Sequence, residues 1–497
     1  MEHAELGFPL WLRLTHFFNI LFLSLLIRSG IEILGAHPML YWNDHCTPGS
    51  EWVRFTRKRM PAGELWTAED EKQPYSPLVA LPGGDHLGLG RYWHFAALAG
   101  WIVTGLLYVV LLLVSPQWRR LVPTSWDIFP QAGEAALAYL QLQIPPAGDP
   151  YNALQQLTYF ALIFGLAPLQ IATGLAMSPA VAGRFPWFPK LFGGCQAARS
   201  LHFLGLIAFI GFTVQHTALV FAEGIKQGLA RIVLGIDGQP TAAEGTIAVA
   251  VAILGLGVIV AIHIWATHAS LQNPRRMQNR LQPLVDPIQR ALLQPLVSRQ
   301  TYRPTDISRV PRPNGRPPHD AAWQALAADE FRSFALEVGG QVEHPQSFSL
   351  EELRRLVSST QTTKHVCIQG WSQVVAWSGV PLSELLERAR PLPTARYLLF
   401  RTFDDKWEHP GEHGYFYGAI DLELARHPQS ILAYDMNGQP LSAPFGAPLR
   451  LRVESQLGYK MVKWVRSVEL IADYRDVGAG KGGWREDVLH YSQIAPI

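Results

Sequence analysis

Five apolar runs, near residues 14–36, 91–114, 152–177, 198–222 and 244–269, constrain this chain more than any other feature of its sequence. Each is about 20 residues long, the length a helix needs to cross the hydrocarbon core of a bilayer. Inside lipid the backbone must satisfy its own polar groups, which leaves helices or a closed barrel. The expected fold of the first part is therefore an all-α transmembrane bundle of five helices. Composition agrees: charged residues make up 16% of the 497, against roughly 25% in a soluble domain, and the apolar excess lies almost wholly before residue 271.

After the fifth run the texture changes. Gln272 to Pro318 is rich in Arg and Pro with no sustained period, which reads as a tether. From about Ala321, short alternating runs such as SFALEVGG and RLRVESQ are separated by helical stretches such as SLEELRRLV, the pattern of an α+β domain. Ser349 followed by Glu352 is a capping-box signature. The expected organisation is a membrane domain over 1–270, a linker over 271–325 and an α+β domain over 326–497. Between the first two runs lies a loop of about 50 residues, long for a connection; it is expected to cover one membrane face, with His37, His45 and His86 towards water. The net charge of +2, with no basic stripe interleaved with aromatics, argues against nucleic acid as a partner. Cys46, Cys195 and Cys367 are too few and too scattered for a disulfide framework or a metal clip. The start, MEHAELGFPLWLRLTHFFN, lacks the pattern of a cleaved signal peptide, so the first run is expected to be retained.

Polar side chains within apolar helices are costly and tend to be functional. Four histidines stand out: His16 in RLTHFFN, His94 in RYWHFAA, His202 in RSLHFLG and His216 in TVQHTAL. The last two are 14 residues apart on one run, about 21 Å of helical rise and within roughly 40° of whole turns. They share a face and lie near opposite membrane surfaces. In an antiparallel arrangement His16 meets His216 and His94 meets His202, giving two bis-imidazole sites suited to b-type haem iron. The plainer alternative is contact with headgroups or neighbouring helices. Gly30, Gly100, Gly105, Gly205 and Gly211 are candidates for leaving room for a macrocycle, although small residues are common at membrane helix contacts. His263 and His268, roughly 140° apart on the fifth run, do not suit one iron and read as interface residues.

On these residues the first 225 positions resemble the cytochrome b subunits (cytochrome b561-like) of membrane formate dehydrogenases, nickel–iron hydrogenases and thiosulfate reductases. The resemblance implies two b-type haems bound by His16, His94, His202 and His216, and exchange of electrons with membrane quinone. A fifth helix departs from that family's four.

In the second half, HVCIQGWS, VPLSELL, ILAYDMNGQPL, GAPLRLRV and LGYKMVKWVRSVEL resemble the sulfite oxidase family of molybdenum enzymes over nearly all of 330–480. The sequence runs only about 25 residues past the last of these motifs, as in the family's short bacterial members. The resemblance implies a molybdenum–molybdopterin cofactor with Cys367 as thiolate ligand, in keeping with the preference of such metals for soft donors. Arg450, Gly458, Lys460 and Lys463 fall where the family binds the cofactor, whose phosphate calls for cations and N–H groups; the alternative for the charged three is a solvated surface. His365, two residues before the cysteine on an alternating stretch, touches the cofactor or caps a turn. Tyr415, Tyr417, Asp404, Asp405 and His409 are substrate-side candidates.

The resulting expectation is a multi-pass protein of the bacterial inner membrane that passes electrons between a small oxyanion, S-oxide or N-oxide and quinone. The alternatives are a soluble c-type cytochrome or another subunit in place of quinone, and an electron-transfer or redox-sensing membrane cytochrome whose molybdopterin domain is catalytically idle. Five crossings and a cytoplasmic N-terminus, as in the cytochrome family, make the catalytic domain periplasmic. Arg54, Arg57, Lys58, Arg59, Arg275, Arg276 and Arg280 oppose that orientation under the positive-inside rule, whereas Arg119, Arg120, Lys226 and Arg231 favour it.

Overall fold

A computed structural model of the chain describes residues 7–493 and 495, apart from 62, 146, 147, 149, 150, 237, 297, 298 and 407–413. Five helices have the length and apolarity to cross a membrane: Leu10–Ala36, Leu87–Val114, Ala153–Ala176, Cys195–Ala222 and Ala242–Gln272. Each lies within a few residues of a run seen in the sequence. The third contains a π-helical segment, Ala161–Leu166, a local widening that rotates the second half of the helix relative to the first.

Packing divides the chain into two compact units that do not follow chain order. One comprises residues up to Ser29, Trp93–Gly174 and Leu201–Gln272; the other comprises Gly30–Tyr92, Leu175–Ser200 and the residues from Asn273 onwards. The first is helical throughout its long elements, with apolar side chains such as Val103, Leu106, Val214 and Ile253 facing outward, as lipid-facing positions require.

The second unit holds two five-stranded sheets. One runs in the order Gln439–Pro440, Ser430–Met436, Ser372–Pro381, Ser359–Val366, with Arg450–Val453 also on Ser430–Met436. All its pairings are antiparallel. The other runs Gln346–Ser349, Ala335–Gly340, Val465–Ile471, Tyr397–Thr402, Tyr417–Asp421, with one parallel pairing between Ala335–Gly340 and Val465–Ile471. Between them lies a core that includes Leu336, Phe400, Leu432, Leu451 and Val468. Ser349 does cap the helix Leu350–Arg355 through a capping box with Glu352.

Two connecting segments differ from expectation. The supposed tether begins with a 19-residue helix, Pro274–Leu292. Its buried Met277, Leu281 and Val285 recur every four residues, a period hidden in the sequence by the Arg and Pro around them. Residues 300–313 then lie along the first sheet, where Tyr302 N–H donates to Thr362 O at 3.1 Å and Ser308 N–H to Val374 O at 2.9 Å. The long loop after the first helix is likewise part of the second unit. Asp44 pairs with buried Lys364 at 3.0 Å, and Glu71 pairs with Arg312. A buried cluster joins Met39, Tyr41, Cys46 and Ala68 to Val366, Cys367 and Trp371. His37 corrects the expectation of a water-facing residue: it is fully buried, stacked on Tyr41 with ring centres 5.9 Å apart and with Nδ1 3.2 Å from Glu71. His45 and His86 are half-buried.

Candidate metal centres

In the helical unit, the ring centres of His16 and His216 are 6.4 Å apart at an angle of 60°. Two imidazoles bound on opposite sides of one metal through bonds of about 2 Å would have centres roughly 6 Å apart, so the pair fits a shared iron. Tyr159 Oη lies 3.3 Å from Nδ1 of His216. The other two histidines are fixed in the same manner. Ser29 Oγ is 3.1 Å from Nδ1 of His94, while Nδ1 of His202 is 3.0 Å from Thr173 Oγ1 and 3.1 Å from the Gln170 carbonyl. An Nδ1–H that donates to a carbonyl leaves Nε2 with its lone pair, the form in which imidazole binds metal. The third helix thus supplies partners on both sides of its π-turn, Tyr159 before it and Gln170 and Thr173 after it. Of the glycines, Gly105 and Gly211 adjoin open space, whereas a Cβ at Gly100 or Gly205 would meet Phe22 or Gln170 at 2.5 Å. His263 bonds the first helix instead, with Nε2 2.9 Å from Ser24 Oγ and Nδ1 2.9 Å from Arg28.

In the second unit, Cys367 opens the five-residue connection between strands Ser359–Val366 and Ser372–Pro381. Its N–H donates to Trp371 O at 2.9 Å and its carbonyl accepts from Gly370 at 3.0 Å, which fixes a tight loop. Gly370 has φ 106°, a conformation glycine adopts without strain. The thiol is buried, 3.5 Å from Gln369 Oε1 and 3.8 Å from Asn314 Nδ2. Burial pushes its pKa up to about 12, against the opposing influence of the Gln369 amide and Arg485. Such a thiol is a poor nucleophile; it becomes an anion when a metal takes the place of its proton.

Beside this loop is a cleft open to solvent, about 690 Å³ with the space at its mouth included, with five Lys and Arg side chains on its walls (Arg312, Lys406, Arg450, Lys463, Arg485) against two carboxylates, Glu69 and Asp404. Arg450 is buried; its guanidinium donates to Phe445 O at 3.1 Å, and its Nε has no partner among the described residues. Burial and the neighbouring Arg452 lower its pKa well below the usual range, a strain that a bound anion would relieve. Lys463 donates to the carbonyls of Asn314 and Pro444. His365 also lines the cleft. Its Nδ1 accepts from Arg452 at 2.9 Å, and Glu454 grips that arginine, so the proton falls on Nε2. Gly458 leaves room for this ring, since a Cβ there would collide with His365 Cε1. These groups suit an anionic cofactor with a phosphate end.

Residues 324–477 match the family described as Oxidoreductase molybdopterin binding domain, and residues 7–235 match Prokaryotic cytochrome b561. The chain thus joins a segment that matches the cytochrome b561 family to one that matches the molybdopterin-binding oxidoreductase family. The putative protein-methionine-sulfoxide reductase subunit YedZ1 of Azospira oryzae is 36% identical over 31% of this chain and 53% of its own length. The protein-methionine-sulfoxide reductase catalytic subunit MsrP of Xanthomonas axonopodis pv. citri is 35% identical over 28% of this chain and 45% of its own. The chain thus spans about half the length of the curated relatives it matches. Among solved structures, the sulfane dehydrogenase SoxCD of Paracoccus pantotrophus aligns over 31% of this chain and 40% of its own, at 25% identity and a TM-score of 0.26.

Within the molybdopterin-binding half, Lys460 stands apart from the other expected cofactor residues. Its Nζ is buried in an ion pair with Glu486 at 2.5 Å and bonds Gln493 at 3.1 Å, and it is not on the cleft wall. Of the substrate-side candidates, Asp404 lines the cleft, 3.4 Å from Lys406. Tyr415 bonds Asp320 and Tyr417 bonds Asp487, Asp405 accepts from the His319 amide at 3.3 Å, and His409 lies outside the described residues. Sequence reasoning missed Glu69, Arg312, Asn314 and Arg485. Arg312 and Asn314 sit in a stretch that reads as linker, and Glu69 in a loop that reads as a membrane cover.

Proposed function

We propose that the protein reduces a sulfoxide at a molybdopterin centre held by Cys367, with electrons drawn from membrane quinol through two b-type haems bound by the pairs His16/His216 and His94/His202. The observation that carries this reading is the presence of both families in one chain, which makes electron delivery intramolecular. The reaction consumes two electrons and two protons and yields a sulfide and water. A sulfoxide is favoured as substrate because both curated relatives are named for methionine-sulfoxide reduction. A bound molybdopterin supplies the oxygen-transfer chemistry. The chain contributes Cys367 as a soft ligand, Arg450, Lys463 and the Gly458 turn for the cofactor's anionic end, and His365 as a fixed N–H donor. Lys406 and Arg485 favour a second reading, oxidation of a sulfite-like anion. With five spans the two ends lie on opposite faces of the membrane, and we assign the molybdopterin domain to the periplasmic side. Accessibility of a C-terminal tag to protease in right-side-out spheroplasts checks that assignment, which a protected tag would overturn.

The central test uses the loaded protein in membranes. Haem reduced by quinol should be reoxidised on adding methionine sulfoxide. If the haem stays reduced although molybdenum is present, the sulfoxide reading fails; if sulfite instead reduces the oxidised haem, the second reading replaces it.

A further inference from the structure

The second membrane helix ends at Val114 and the third begins at Ala153, so the segment between them must stand at one bilayer face. Much of it is a 13-residue helix, Ile128–Leu140, preceded by Trp126. Its circumference divides into three faces. Ile128, Ala132 and Ala135 are buried in the helical unit. Gln131 and Glu134 are exposed and polar, as is Gln141 just past the end. Between these faces runs an apolar stripe that none of the described residues covers: Trp126 is 84% exposed, Phe129 54%, Leu137 56% and Leu140 82%, with Gly133 among them.

At 100° per residue, Phe129, Gly133, Leu137 and Leu140 fall within about 80° of one another, and Gln131 and Glu134 lie well outside that arc. Trp126 stacks on Phe129 with ring centres 5.8 Å apart, so the two rings form one blade. Exposed apolar area of this kind in water would be a liability. Tryptophan with aliphatic residues on one face of a short amphipathic helix is instead the make-up of segments that lie in the headgroup region. Arg119, exposed just before the helix, adds a cation of the kind that attracts anionic lipid.

We propose that Ile128–Leu140 is an in-plane helix whose Trp126–Phe129–Leu137–Leu140 stripe is inserted at the boundary between headgroups and acyl chains of the same bilayer that the five long helices cross. The occupant of this surface is lipid. Its tether at both ends to helices able to cross that bilayer, Leu87–Val114 and Ala153–Ala176, argues for it.

Site-directed labelling on the full chain in anionic proteoliposomes tests this, because Cys46, Cys195 and Cys367 are buried. A polarity-sensitive fluorophore at Phe129→Cys, Leu137→Cys or Leu140→Cys should lose most of its emission to lipids spin-labelled near the headgroup. The same fluorophore at Gln131→Cys or Glu134→Cys should keep it. Uniform emission typical of water at all five positions would overturn the proposal. So would blue-shifted emission that spin-labelled lipid does not quench, which would mean that a protein covers the stripe. Should a variant fail to assemble, a lipid-borne carbene probe applied to the unaltered protein reads the same face by mass spectrometry. It should mark Trp126, Phe129, Leu137 and Leu140 and spare Gln131 and Glu134; the absence of marks on the stripe would equally refute lipid contact.

Discussion

In the helical unit three of the four candidate haem ligands are held by one or two hydrogen bonds from a neighbouring helix, Tyr159 to His216, Ser29 to His94, Thr173 and Gln170 to His202. Around Cys367 the supports come from far along the chain and carry charge: Asp44 to Lys364, Glu71 to Arg312, Glu454 to Arg452 to His365. A regular helix already sets depth and facing, so a ligand on it needs little more than one hydrogen bond at its far nitrogen to choose its tautomer. A loop at the end of a hairpin has no such frame. Its position must be imposed by the segments that wall it in, and buried charges are the strict way to do so, since a mispaired one is expensive.

The sharpest separation of the two centres is Cys367→Ser. It should abolish turnover with methionine sulfoxide and leave the reduced-minus-oxidised haem spectrum unchanged; surviving turnover would remove Cys367 from the reaction. His216→Ala should do the converse, removing one of the two proposed haems in a pyridine haemochrome assay while molybdenum content holds. Full haem content in that variant would break the proposed pairing with His16. Next comes Asp44→Asn, which leaves Lys364 buried without its carboxylate and should cost about 3 kcal/mol, read from denaturant unfolding of the solubilised protein. A cost near zero would mean that the charged supports do not hold the loop.

The mildest effect is a pH dependence confined to the second unit. Burial, reinforced by Arg312 and Arg199 and opposed by Glu71, lowers the pKa of His37 from 6.5 to about 3. Above pH 6.5 neither folded nor unfolded His37 carries a proton. Between there and about pH 3 only the unfolded chain takes one up, so stability falls as pH drops through that window. Glu71 adds to the loss at the acid end: burial resists its ionisation, but His37 and Arg312 prevail and hold its pKa below the usual carboxylate value. His37→Gln should flatten the decline by up to about 2 kcal/mol between pH 7 and 5. An unchanged slope would place the sensitivity elsewhere.

The same contrast explains what could be read from the sequence. Helix spacing announces itself, so the five spans are legible from apolar length and the shared face of His202 and His216 from a separation of 14 residues. Cys367 had no such signature and was recognised by its motif. The walls of the cleft beside it are not legible, because Glu69, Arg312 and Asn314 are brought there by long-range pairings that leave no periodic trace. Lys460 and Lys463 look equivalent in LGYKMVKW; their partners distinguish them, Glu486 and Gln493 for the first, the Asn314 and Pro444 carbonyls for the second. The helix Pro274–Leu292 was concealed by Pro283 and Pro287, residues that ordinarily end helices.

The pairing of Asp44 with Lys364 spans 320 positions. On a ribosome, the loop that carries Asp44 emerges while most of the protein does not yet exist. It must wait, with Met39, Tyr41 and Cys46 still uncovered, until the last third of the chain arrives. The cleft can therefore close only after Arg485 has been made, so a pterin would be received by a chain whose first helices were synthesised long before.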